Sequence, residues 1–286
     1  MNRNERPTMP ARHRWTVKIR TAGTAALLLA AELAPAIPAC GVPPPVRETG
    51  ADRDAKQWIG TWATAAQPFL ANSLETFQNQ TLRLIVHTSI GGTKLRIKIS
   101  NSYGDRRLLI GAAHVARRTA AAEIDPSSDR TLKFHGKFST TVAAGSTVAS
   151  DAVELNVPGL SDLAISLFLP QRTEAKTSHS LAKQTNYVSS ETGDSTGVVK
   201  FPVAKTIESW PFLTGVDVEA AQGAAAIVAF GSSLTDGDGT TADTNRRWPD
   251  VLAERLHKST DGKSEIGVLN EGIIGNRLLL CSPDDD

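Results

Sequence analysis

The sequence predicts two architectures in series: an antiparallel β-sandwich over residues 57–218, then over 224–286 the opening strand, helix and strand of an open α/β sheet. Three observations carry this. Several short segments alternate apolar and polar residues with period two and are separated by turn residues rather than by helical stretches. A continuous apolar run then ends in Gly231-Ser232-Ser233, the way a buried parallel strand hands over to a loop at its carboxyl end. Behind that loop, an amphipathic stretch and a second short apolar run complete one βαβ unit.

Taken in order, residues 1–40 read as a secretion signal. Arg3, Arg6, Arg12, Arg14, Lys18 and Arg20 precede a short apolar core at 24–31, too short to span a bilayer. Met9 is an alternative start. Ile37-Pro38-Ala39-Cys40 loosely resembles a bacterial lipobox, in which Cys40 would carry a membrane lipid anchor; ordinary cleavage nearby is the competing reading. Cys40 and Cys281 are the only cysteines and do not make a disulfide framework. Residues 41–56, Pro-rich and then charged, read as a tether. With 31 basic and 30 acidic residues, nothing points to a nucleic-acid surface.

Within 57–218, Leu82, Leu84 and Val86 alternate with Arg83, Ile85 and His87, and after Gly91-Gly92 the residues Leu95, Ile97 and Ile99 alternate with Lys94, Arg96 and Lys98. This predicts a β-hairpin turning at the glycine pair, with one wet face. Residues 108–115, 132–134, 148–157 and 163–169 repeat the theme, and 208–223, with Pro211, Gly215 and Gly223, read as the connection between the domains. His87, His114 and His135 fall on predicted strands and read as structural or solvated; His179 is read the same way. Trp58 and Trp62 read as packing on a sheet rather than stacking on a sugar.

Residues 246–259 place Trp248, Leu252 and Leu256 four apart, with Pro249 suited to a first helical turn. Residues 265–270 read as the second strand, ending in the glycine-bearing loop 270–276. In one βαβ unit both loops open on the same sheet edge, so one can hold a nucleophile, Ser233, and the other backbone N–H donors. A strand-to-helix turn also carries Gly, Ser and Asp for geometry alone, so Gly231-Ser232-Ser233-Leu234 by itself leaves a purely structural reading open.

Phe230-Gly231-Ser232-Ser233-Leu234-Thr235-Asp236-Gly237 and the loop 270–276 resemble the first two signature blocks of the SGNH or GDSL-type ester hydrolases. The resemblance implies a flavodoxin-like, doubly wound α/β domain. It puts Ser233 in the nucleophile position, with its own N–H and that of Gly275 forming the oxyanion hole, and it requires no metal or organic cofactor. Ser232 stands where the family carries Asp. The region 57–218 is similar to the amino-terminal β-domain of one branch, the acyl hydrolases and arylesterases of xylan-degrading clusters. The pieces that carry this likeness are 58–63, 99–104, 177–179 and 184–188. The implied substrate is a small-molecule or polysaccharide ester of a short acyl group, met outside the cell or in a bacterial envelope.

The family's later blocks, which supply an Asn and the triad Asp and His, are not matched. No Asp-x-x-His follows Ser233, and the one downstream histidine, His257, reads as a solvated residue on the predicted helix. The sequence therefore leads us to expect a chain broken off between blocks, inactive as it stands, with the gene continuing, in this or another reading frame, into the missing ones. The alternative is an envelope-associated β-sandwich binding module with a remnant hydrolase segment. The sequence does not address oligomeric state.

Overall fold

The strands of the amino-terminal region, in chain order, are β1 (Lys56–Ala63), β2 (Gln67–Pro68), β3 (Thr76–Phe77), β4 (Gln80–His87), β5 (Gly92–Ser100), β6 (Leu108–Ile110), β7 (Ala112–Ala120), β8 (Glu123–Ile124), β9 (Arg130–Thr131), β10 (Thr140–Val142), β11 (Thr147–Ala149), β12 (Val153–Val157), β13 (Asp162–Leu169), β14 (Thr173–Glu174), β15 (Thr177–Ser178), β16 (Asn186–Ser189), β17 (Val203–Ile207) and β18 (Leu213–Ala221). Then come β19 (Ala225–Gly231), α1 (Ser233–Asp236), α2 (Trp248–Ser259) and β20 (Ile266–Gly272). These come from a computed structural model, which describes residues 56–68, 74–190 and 193–277. The stretches read as a signal and a tether, up to residue 55 and including Cys40, lie outside the described residues, as does Cys281.

Two antiparallel sheets organise the chain up to Ala221. One has the order β1-β18-β5-β11, with β12 also on β5; the other has the order β17-β16-β4-β13-β7-β8, with β9 also on β7. Leu82, Leu84 and Val86 of β4 and Leu163, Ile165 and Leu167 of β13 share one core with Leu95, Ile97 and Ile99 of β5 and Val216 and Val218 of β18. Period-two patterning sends these residues inward together, and their removal from water is the main driving force for closing the two sheets on each other.

The predicted hairpin does not form. β4 pairs with β13 and β16, whereas β5 pairs with β18, β11 and β12, so the glycine pair follows a crossing from one sheet to the other. The crossing is pinned from β1: the Thr61 hydroxyl accepts from Ile90 N–H (3.0 Å) and donates to Ile90 C=O (2.6 Å), while Ser89 donates to Thr61 C=O. Nor is the second face of β4 wet. Ile85 lies in a separate apolar cluster with Ala116, Ala122, Tyr187 and Phe201, and Arg83 is fully buried beside it. His135 is also off the strands, in a turn with φ of 51°.

Residues 208–223 are no linker either. Trp210 and Phe212 are buried, and β18 is an interior strand between β1 and β5. Gly215 sits at a bulge in the β18–β5 register, one of the features through which glycine enters strands.

The described residues fall in one compact unit, and the segment after Ala221 is locked onto the sandwich at many points. β20 lies against β1, with Gly267 against the Gly60 backbone and Val268 N–H donating to Ser89 Oγ (2.9 Å). The loop between α1 and α2 grips the other side. Asp243 accepts from Gln184 Nε2 (2.5 Å), Thr185 N–H (2.6 Å) and Thr185 Oγ1 (2.6 Å), and the Arg247 guanidinium lies 5.5 Å from the Trp210 ring centroid.

β19 pairs with β20, in parallel, and with no other described strand. The apolar run that the sequence read as a buried strand is open on its far side: Val228 is 57% and Phe230 76% exposed. Unpaired apolar edges recruit other chains. Val228→Lys is therefore expected to reduce concentration-dependent association in sedimentation velocity, and association unchanged by it would clear this edge of the role.

Candidate active site

The β19–α1 turn is built by close approach. Ser232 caps α1, its C=O accepting from Thr235 N–H (3.0 Å) and Asp236 N–H (2.9 Å). Gly237 closes the helix at φ 114°, a left-handed conformation that favours glycine, and returns its N–H to Ser233 C=O (2.9 Å). Gly272 of β20 packs so tightly on the Asp236 backbone that a Cβ there would collide with it. These contacts account for Gly237 of the first sequence block and Gly272 of the second.

Buried side chains then tie the two loops together. Asn270 donates from Nδ2 to Thr235 C=O (2.8 Å) and accepts from Gly272 N–H (3.0 Å), while the Asp236 carboxylate accepts from Ile274 N–H through Oδ2 (2.7 Å). The β19–β20 register sets Gly231 opposite Gly272, so the turn carrying Ser233 and the loop carrying Gly275 leave the sheet at the same edge. Among the described residues, the Ser233 hydroxyl and the N–H groups of Ser233 and Gly275 make no hydrogen bond. The edge thus presents one hydroxyl and two uncommitted N–H donors.

Residues 227–280 match the family model described as GDSL-like Lipase/Acylhydrolase. No curated protein matches the chain. The match supports a hydrolase of ester substrates in this GDSL-like segment, and it spans both loops just described.

The sequence did not reveal that a sandwich residue pairs with a buried carboxylate of the GDSL-like segment. His179, which follows β15, is 2% exposed, and its Nε2 lies 2.8 Å from Asp236 Oδ1. Its Nδ1 lies 3.0 Å from Ala65 C=O, and the ring tilts against Trp210 at 5.8 Å between centroids. With both ring nitrogens committed, His179 has none left for Ser233. His257 is on α2 as expected, yet it is half-buried rather than solvated, its ring against Gly159 and its Nδ1 buried without a described partner. His87 pairs with Asp162 (2.7 Å) and His114 with Asp129 (2.9 Å).

Beside the second loop, a cleft of about 340 Å³ opens between β20 and the sandwich, lined by Trp62, Lys98, Thr214, Asp217, Leu269 and Glu271. Burial pushes the Glu271 carboxyl above its ordinary range, against the opposing pull of His179 and Lys98. An acid whose pKa is raised by folding contributes stability that is present below its unfolded pKa and lost as pH rises through the folded value. Glu271→Gln is accordingly expected to match the wild type in thermal melting near about pH 4 and to exceed it increasingly toward neutrality. A gap that is constant with pH would contradict the burial account. Among the described residues, no cluster of His, Cys, Asp and Glu is arranged as a metal site.

Proposed function

We propose that the chain carries the nucleophile and oxyanion-hole half of a secreted serine ester hydrolase, acting on short acyl esters. The observation that carries the reading is the shared edge of β19 and β20, where Ser233 and the N–H groups of Ser233 and Gly275 stand uncommitted on loops buckled by Asn270 and Asp236. Ser233 Oγ attacks the ester carbonyl, the two N–H groups receive the developing oxyanion, and collapse expels the alcohol and leaves an acyl-serine. Water then releases the acid.

Both proton transfers need a base beside Ser233, and the described residues provide none: His179 is committed on both nitrogens. On this reading the described residues by themselves are expected to turn over slowly. The hydroxyl-rich cleft by Glu271, with Thr214 and Lys98 on its wall, suits a polysaccharide as the alcohol component.

The test is hydrolysis of p-nitrophenyl acetate by the purified chain and by Ser233→Ala. A weak rate that falls to background in the variant supports the reading; a rate insensitive to Ser233→Ala excludes Ser233 as nucleophile. No Ser233-dependent rate together with tight binding of a glycan would favour the binding module with a remnant hydrolase segment.

A further inference from the structure

We propose that His179, delivered by the β-sandwich, is a positioning residue for the oxyanion loop, holding Asp236 as an imidazolium so that Asp236 in turn fixes the Ile274 N–H next to Gly275. The inference rests on the ester-hydrolase reading for its purpose, but its geometry stands on the contacts themselves.

The partners of the two ring nitrogens set where protons must sit. His179 Nδ1 faces the Ala65 carbonyl at 3.0 Å, an acceptor only, so Nδ1 carries a proton. Nε2 faces Asp236 Oδ1 at 2.8 Å, again an acceptor when the carboxylate is ionised. A neutral ring beside an ionised Asp236 has one proton for these two positions and would leave a lone pair against a carboxylate oxygen; the competing arrangement, a proton on Asp236 Oδ1 donated to a neutral Nε2, is the one that the ring ¹⁵N spectra below exclude or reveal. Both residues are almost completely buried, at 2% and 1% side-chain exposure, so water does not relieve that conflict. An imidazolium satisfies both acceptors at once and neutralises the buried carboxylate.

What the pair does follows from the other oxygen. Asp236 Oδ2 accepts from Ile274 N–H at 2.7 Å, and Asp236 is three residues after Ser233 on the single turn of α1. One carboxylate thus joins three pieces of chain: the nucleophile turn, the loop bearing Gly275 and the sandwich. Losing His179 leaves the carboxylate buried with its Oδ1 partner gone, and water entry or rotation of Asp236 then frees the Ile274 peptide. The peptide that carries the Gly275 N–H is the next one. The sandwich is on this account part of the hydrolase centre, not a separate module beside it.

The experiment uses the full chain and two readouts that do not depend on turnover: side-chain ¹⁵N spectra of His179, and amide hydrogen exchange at Ile274. The wild type is expected to show both ring nitrogens protonated and a protected Ile274 amide. His179→Phe is expected to speed Ile274 exchange at least about tenfold, as for loss of a charge-assisted hydrogen bond, while the Leu84 and Ile165 amides in the sandwich core keep their rates. Asp236→Asn is the rescue. Its Nδ2 donates to a neutral Nε2 and its Oδ1 accepts from Ile274, so protection returns to near wild type while the ring becomes neutral. A neutral ring in the wild type, Ile274 exchange unchanged in His179→Phe, or lost protection in Asp236→Asn would each overturn the proposal. Should His179→Phe unfold, the core amides report it, and the wild-type ring and Asp236→Asn decide. Ser233→Ala leaves both readouts unchanged, so failure of the nucleophile assignment is seen separately.

Discussion

The purified 286-residue chain is expected to hydrolyse p-nitrophenyl acetate on the order of 10⁴ to 10⁶ more slowly than a serine hydrolase with a complete triad. The magnitude follows from what Ser233 lacks. A serine hydroxyl is a weak nucleophile until a neighbouring base removes its proton, and each histidine of the described chain is engaged elsewhere or sits away from β19. His179 is bound to Ala65 and Asp236, His87 to Asp162 and His114 to Asp129, while His257 packs on Gly159. What survives is binding and the oxyanion donors, which in triad-less hydrolases still give roughly 10³ to 10⁴ over water. The rate is therefore expected to be small but dependent on Ser233. Steady-state kinetics with Ser233→Ala as the blank check this, and turnover near that of an intact serine esterase would mean that a base reaches Ser233 after all.

Arg83→Ala is expected to cost about 3–5 kcal/mol of folding stability, enough to unfold a marginal chain. Arg83 is fully buried on β4, and its guanidinium donates from Nε to Ser166 Oγ (3.0 Å), from Nη1 to Ala122 C=O (2.8 Å) and from Nη2 to Thr196 C=O (2.9 Å). It also stacks over Phe201 at 4.4 Å. Burial lowers its pKa to about 10, with Asp129 opposing, so it is still charged at neutral pH. Truncation leaves a cavity and strips two buried carbonyls of their donor, and each effect is worth of the order of 1–3 kcal/mol. Lysine does not rescue, because a single ammonium cannot span the fan of acceptors that the planar guanidinium reaches. Urea unfolding of Arg83→Ala and Arg83→Lys measures this, and a loss below about 1 kcal/mol in the alanine variant would contradict the anchoring role.

The parts of the fold that were legible in the sequence are those whose reasons are local. Gly237 and Gly272 are dictated by a helix-ending turn and close backbone approach within one βαβ unit, and the helix at Trp248–Ser259 follows from Pro249 and the four-residue spacing. The strands at Gly92–Ser100 and Asp162–Leu169 likewise follow from alternation. What was not legible depends on partners far along the chain. Arg83 looked like a solvent-facing residue because Thr196, 113 positions away, supplies part of its cover. The Gly91-Gly92 pair looked like a hairpin turn because the residue that redirects the chain, Thr61, lies on another strand. Pro211 and Gly215 suggested a linker because the burial of Trp210 and Phe212 beside them comes from distant parts of the chain, Trp62 among them. His179 and Asp236 each stood inside a recognised stretch, but their pairing spans 57 residues and leaves no local signal.

The most direct test of the central claim is where a fluorophosphonate attaches. Long incubation of the full chain with the probe, followed by peptide mapping, is expected to give a slowly formed adduct on Ser233, absent in Ser233→Ala. An adduct on another serine, or labelling of the chain that Ser233→Ala leaves intact, would show that the shared edge of β19 and β20 is not a nucleophilic centre.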